Sequence, residues 1–215
     1  MVTQPTGGTD PLTGLGRYDD FLKTFSAGIA GAQSSGGCGV SMALIDIDGF
    51  GALNVASGRA AGDEVLKALA RFLGTAFADS GPVFRYGGDA YAVLLDGMEK
   101  EKAFLVVEQV RTAYVEEEKE PALKDVRVSI GVAAYPDDGT QALDIARKAS
   151  EALYRAKVGG GNKVCLAREE KMVTKTSHYT QGQLHGLSRL AKRKKIGEAE
   201  LLREALDDLL RKHNA

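Results

Sequence analysis

Cysteine is scarce in this chain of 215 residues: there are two, Cys38 and Cys165, far apart and near no histidine cluster. Neither a disulfide framework nor a thiolate zinc site is therefore expected. Histidine is nearly as rare, and two of the three, His178 and His185, lack further ligand-type neighbours. No apolar run approaches membrane-spanning length, and the N-terminus has no basic-then-apolar signal. A cytoplasmic, reducing location with no membrane partner is the expectation. A strong overall charge is missing too, the formal net charge being −1, but that figure hides an asymmetry. From Met1 to Leu166 the chain is acidic; beyond it Lys171, Lys175, Arg189, Lys192, Arg193, Lys194, Lys195, Arg203, Arg211 and Lys212 crowd into one segment. Such a segment suits an anionic partner or a solvated face.

What is present fits a folded protein, 44% hydrophobic and 27% charged. The length suits one large domain, or one ordinary domain with a small appendage. Residues 1–9 are polar and glycine-rich and are expected to fray. Asp10 and Pro11 read as a helix start, followed by Phe21, Leu22, Phe25 and Ile29 at helical spacing. VSMALIDID (Val40–Asp48) reads as a buried strand ending in acids. Asp63 and Glu64 open a helix with Val65, Leu66, Leu69, Phe72 and Leu73 on one face, and Gly87-Gly88 sits in a hairpin. A helix over 99–117, the strand VRVSIGVAAY, a helix over 142–157 ended by Gly159-Gly160-Gly161 and a strand over 162–166 complete a domain spanning 10–167. Hairpins interrupt the alternation, so an α/β (α+β) fold with a mixed sheet and helices on its faces is predicted.

The chemistry sits at the ends of two strands. Asp46 and Asp48 close one, and Asp89 follows two glycines that let backbone amides approach a phosphate. Two carboxylates and a backbone carbonyl are the minimum that holds magnesium beside nucleotide phosphates. Asn54 and Asp63 have side chains able to hydrogen-bond a guanine edge. The same residues also fit a plain type I′ hairpin, a strand end and two helix caps.

DPLTGLGRYDDF, IDIDGFGALN, GRAAGDEVL, RYGGDAYAVLL, VSIGVAAY and EALYRAKVGGGN together resemble, in order and register, the GGDEF domains, the diguanylate cyclases of bacterial signalling. The resemblance implies a palm-like fold shared with nucleotidyl cyclases, one GTP per domain, and two domains meeting to form cyclic di-GMP with Mg2+. By position it implies Asp46, the Ile47 carbonyl and Asp89 at the metal, with Asp89 the catalytic acid in an active member. It implies Asn54 and Asp63 on the guanine, and Gly87, Gly88 and Lys157 at the phosphates. The departures are as informative. Ala90 replaces a glutamate, Gly51 a phosphate-binding lysine, Gly161 an arginine and Val55 an acidic residue. Residues 78–81 (ADSG) lack the Arg-x-x-Asp of the family's product-inhibition site, and the family's early Asn-Arg-Arg reads Arg17-Tyr18-Asp19. The pattern points to a degenerate domain that keeps a guanine nucleotide but turns it over poorly; a slow cyclase and an empty interaction scaffold are the alternatives.

After Leu166 the rhythm changes. KMVTKTSHY (Lys171–Tyr179) is β-prone, Thr180 fits a helix cap, and leucines mark two helices split by Gly197. So small a piece, 168–215, exposes too much apolar surface to stand alone. It resembles a ribbon-helix-helix module, which implies a homodimer whose paired strands enter the DNA major groove. Lys175, Ser177 and Tyr179 form the outward set, or Thr174, Thr176 and His178 in the opposite phase, with Lys192–Lys195 attracting phosphate. Glu198 and Glu200 place negative charge where phosphate would sit; DNA binding is still the expectation, and a module that only dimerises, its basic run a solvated helix end, is the alternative.

Overall fold

Alternation along one central strand decides the architecture. In the computed structural model, which describes residues 8–35, 39–116, 121–168, 176–194 and 197–212, that strand is β1 (Val40–Ile47). Its Ala43, Ile45 and Ile47 enter one apolar layer and its Met42 and Leu44 the other, as the period of two requires. The other strands are β2 (Val83–Gly87), β3 (Ala90–Leu95), β4 (Val128–Tyr135) and β5 (Val164–Leu166). They form a five-stranded sheet in the order β2-β3-β1-β4-β5, antiparallel except for the parallel β4–β5 pair. The sheet is mixed, as the interrupted alternation predicts.

Five helices flank it: α1 (Tyr18–Ser35), α2 (Phe50–Ser57), α3 (Arg59–Ala76), α4 (Lys100–Glu116) and α5 (Ala142–Val158). On one face α3 inserts Val65, Leu66, Leu69 and Leu73, and α4 adds Ala103, Val107 and Tyr114. On the other, α1 brings Phe21, Phe25 and Ile29, and α5 brings Ile145, Ala146, Ala149 and Leu153. Each large side chain so buried contributes about 1.5–3 kcal/mol relative to exposure. The buried Tyr91 hydroxyl donates to the Leu66 carbonyl at 2.7 Å, so that ring is buried with its polar atom partnered.

Three local readings change. The first helix begins at Tyr18 rather than Pro11. Asp10 instead closes a turn, accepting from the Thr13 amide (2.9 Å) and hydroxyl (2.7 Å). The segment cannot coil there because Gly16 is drawn to the sheet edge, its carbonyl accepting the Arg85 amide at 2.8 Å. Helix α2 was not foreseen; it buries no residue fully and lays only Phe50 and Leu53, part-buried, against the core, too short a stripe to read. The third helix begins at Arg59, ahead of Asp63, which it contains.

Residues 170–215 form a separate unit. Its helices are α6 (Gln181–Lys194) and α7 (Glu198–Lys212). Thr180 caps α6 reciprocally: its hydroxyl accepts the Gln183 amide at 3.3 Å, and Gln183 Oε1 accepts the Thr180 amide at 2.9 Å. Ala191 and Leu201 are buried, whereas Leu184, Leu202, Leu206, Leu209 and Leu210 are exposed. Of the strand expected over Lys171–Tyr179, residues 171–175, Lys175 among them, lie outside the described residues. Thr176 to Tyr179 take no strand, and among the described residues of this unit there is no strand for them to pair with.

Candidate functional site

The end of β1 gathers the acids. Asp46 lies directly across the β1–β3 ladder from Ala90 and across the β1–β4 ladder from Ser129. It shares a face with Met42 and Leu44, the face covered by α5, and the Lys157 ammonium in the last turn of α5 hydrogen-bonds its Oδ1. Burial pushes the Asp46 carboxyl above the ordinary aspartate range; the Lys157 hydrogen bond works against this, and the nearby charges of Asp89 and Asp48 add to it. The Asp48 amide bonds the Arg127 carbonyl at 2.9 Å, which fixes the ladder's phase. That phase turns the Ile47 carbonyl toward β3, where pairing has ended at Asp46–Ala90. Ile47 and the half-buried Asp89 therefore lie at the same sheet end, each one residue beyond that last pair.

Asp48 has a different task. Its Oδ1 accepts the Ser129 hydroxyl at 2.7 Å and its Oδ2 the Asn162 amide at 2.7 Å. The Asn162 side chain in turn accepts from Arg111 on α4 at 3.0 Å. Asp48 thus moors the glycine turn after α5 to the end of β1. Residue 161 in that turn is left-handed (φ +72°), and a Cβ there would stand 2.8 Å from Asp48 Oδ2.

Gly88 and Asp89 form the tip of the β2–β3 hairpin, with Gly88 at φ +56°, a conformation glycine adopts without cost. The Arg85 guanidinium grips this tip. It donates to the Gly88 carbonyl, lies 5.3 Å from the Tyr91 ring centroid and stands 3.8 Å from Asp10 Oδ1. Its Nε and Nη1 are buried without a hydrogen-bond partner, so Asp10 is its counter-charge. For Asp10, burial would raise the pKa, but the Thr13 hydrogen bonds and the Arg85 charge more than offset it and hold the carboxyl below its ordinary value. Sequence reading took Asp10 for a helix cap and passed over Arg85; the one signal was an arginine opening RYGGD.

Asn54 and Asp63 stand on the paired helices α2 and α3. Gly62 is buried against Asn54: a Cβ there would come within 2.0 Å of Asn54 Oδ1, so a side chain at 62 would displace that of Asn54. Asn54 is half-buried and Asp63 exposed. Among the described residues no group of three or more His, Cys, Asp or Glu side chains is arranged to hold a metal ion. No helix among them is long and apolar enough to cross a membrane.

The fold is the palm-like α/β fold of the GGDEF domains. The chain belongs to that family: the family model described as "Diguanylate cyclase, GGDEF domain" matches residues 8–163. Diguanylate cyclase A of Treponema denticola is 35% identical over 132 residues, covering 60% of this chain and 35% of that protein. The active GGEEF domain of a Vibrio cholerae diguanylate cyclase superposes with a TM-score of 0.66 at 29% identity, over 73% of this chain and 99% of the other. The GGDEF domain of DgcB from Caulobacter crescentus, solved in complex with c-di-GMP, gives a TM-score of 0.66 at 27% identity, over 77% and 98%. The chain spans between 21% and 50% of the length of the first curated relatives it matches. Domains of this family bind guanine nucleotides and in general use GTP and Mg2+.

Proposed function

We propose that this chain is a guanine-nucleotide-binding regulatory protein whose GGDEF domain cyclises GTP poorly, joined to a C-terminal unit that pairs two copies. One observation carries the reading: directly across the ladder from Asp46, where the family pattern has a glutamate, stands the methyl of Ala90. Gly51 and Gly161 supply no charge either. Each missing charged group removes roughly 2–4 kcal/mol of transition-state stabilisation. Independent losses of that size compound to several orders of magnitude in rate. Asn54 and Asp63 remain for the base, and Gly87, Gly88 and Lys157 for the phosphates, so recognition is separated from turnover. Asp89 is the acid on which residual chemistry depends.

The exposed leucines of α6 and α7 support a homodimer formed through the tail. A ribbon-helix-helix arrangement, with Lys175, Ser177 and Tyr179 toward DNA, belongs to the same proposal. Ser177 and Tyr179 are exposed, and Lys192, Arg193 and Lys194 crowd the last turn of α6.

The enzymatic reading has its own support in the retained Asp46 and Asp89 at adjoining strand ends, since paired tails raise the effective concentration of two loaded domains. Calorimetry with GTP, GDP and cyclic di-GMP, and mass spectrometry after incubation with GTP and Mg2+ or Mn2+, separate the readings. Binding with little or no cyclic product is expected. Rapid product formation that disappears in Asp89→Asn would make the chain a cyclase, and absence of binding would leave an interaction scaffold.

A further inference from the structure

The two helices that carry Asn54 and Asp63 hold few charges. Helix α2 has none, and α3 as far as Lys67 has Arg59, Asp63, Glu64 and Lys67. Glu64 and Lys67 hold each other at 2.8 Å. Arg59 and Asp63 are both exposed, and among the described residues neither enters a hydrogen bond or an ion pair. They stand one turn apart on the same face of α3. Asn54 borders them, because the Gly58 amide bonds the Asn54 carbonyl at 3.0 Å and Gly58 directly precedes Arg59. Arg59 also opens α3, where the positive end of the helix dipole disfavours a cation. With no carboxylate paired to it, local stability gives no reason for this charge. A residue that breaks a local rule without compensation points to function.

We propose, resting on the guanine-nucleotide reading above, that Arg59 is a specificity-determining residue that reads the O6 and N7 edge of the base. The hydrogen-bond inventory asks for such a donor. Guanine presents N1–H and its N2 amino group as donors, which suit the Asp63 carboxylate. Its O6 and N7 are acceptors, which a carboxylate repels. A guanidinium offers two parallel N–H groups to that second edge, the pairing by which arginine reads guanine in nucleic acids. Side chains one turn apart start about 5–6 Å from each other, close enough for one purine to meet both. Adenine fails twice at such a site: its N6 amino group faces the guanidinium, and it has no N1–H for the carboxylate. The pair therefore rejects adenine as well as selecting guanine.

The test is calorimetry of the full chain with GTP, 7-deaza-GTP and ITP, on wild type and on Arg59→Met. 7-Deaza-GTP lacks the N7 acceptor, and ITP lacks the N2 amino group that Asp63 takes. On wild type both analogues should bind more weakly than GTP, by about fivefold or more. Arg59→Met should weaken GTP by about tenfold and erase the difference between GTP and 7-deaza-GTP. The ITP penalty should remain in this variant, since Asp63 is untouched. Equal binding of GTP and 7-deaza-GTP by wild type would overturn the role of Arg59 and leave guanine-nucleotide binding intact. So would a 7-deaza penalty that survives Arg59→Met, which would put the arginine on the phosphates or on nothing. Failure of wild type to bind GTP would overturn the nucleotide reading itself, and the assignment to Arg59 with it.

Discussion

Two corners of one sheet end lack charges that the resemblance to the family leads one to expect, and they do so in opposite ways. At position 51 there is room, and position 90 holds only a methyl. A Cβ on Gly51 meets nothing within 4 Å, and Ala90 is a half-buried strand residue across from Asp46. Position 161 has been rebuilt around its glycine: the backbone is left-handed, and Asp48 stands where a side chain would start. A missing charge in a sequence is therefore either a vacancy that a substitution can fill or a remodelled contact that it would break.

The largest effect expected is from filling the vacancy. The double variant Ala90→Glu with Gly51→Lys restores a carboxylate across from Asp46 and a cation on α2. Cyclic di-GMP formation from GTP and Mg2+, followed by mass spectrometry, should rise by about a hundredfold or more, on the scale of single electrostatic groups in active sites. If the rate does not move, charge at this corner is not what limits the domain, and the contrast between the two corners fails.

Gly161→Arg should do the reverse despite bringing the residue closer to the family pattern. A non-glycine residue held left-handed costs about 1–3 kcal/mol. Displacing Asp48 forfeits its hydrogen bonds to Ser129 and Asn162, about 1 kcal/mol each. A fall in melting temperature of about 5–15 °C is expected, with no gain in cyclisation. A stable, more active variant would show position 161 to be a vacancy as well.

Much of this was legible before any coordinates. The apolar run ending in Asp46 and Asp48 announces a buried strand with acids at its mouth, and the glycines before Asp89 announce the hairpin. The separation of roles between Asp46 and Asp48 was not legible. Residues two apart on a strand share a face, so only the partners tell them apart: Lys157, which is 111 positions away, against Ser129 and Asn162. Position 161 looked like a lost charge for the same reason, since its backbone conformation follows from a contact that local sequence does not encode. The grip of Arg85 on Asp10 and Gly88 escaped notice because it depends on the chain returning past Gly16 to the edge of β2.

That grip underlies the open corner and gives the smallest effect, with a definite sign in pH. Asp10→Asn keeps an acceptor for Thr13 but leaves the buried Arg85 guanidinium without its counter-charge, at a cost of about 1–2 kcal/mol at pH 7. The Asp10 pKa is lowered in the folded chain from an ordinary value of 3.8, so its ionised form stabilises the fold. That contribution is present above the unfolded value and is lost as pH falls through the still lower folded one. The stability gap between wild type and Asp10→Asn in urea unfolding should therefore be constant from neutrality to about pH 5 and close below pH 3.8. Because Arg85 holds the Gly88 carbonyl, the same variant should also loosen the hairpin, reported by faster hydrogen exchange at residues 87–90. A gap independent of pH would mean that Asp10 acts through its turn alone, and that the hairpin tip is held by β3 without help from Arg85.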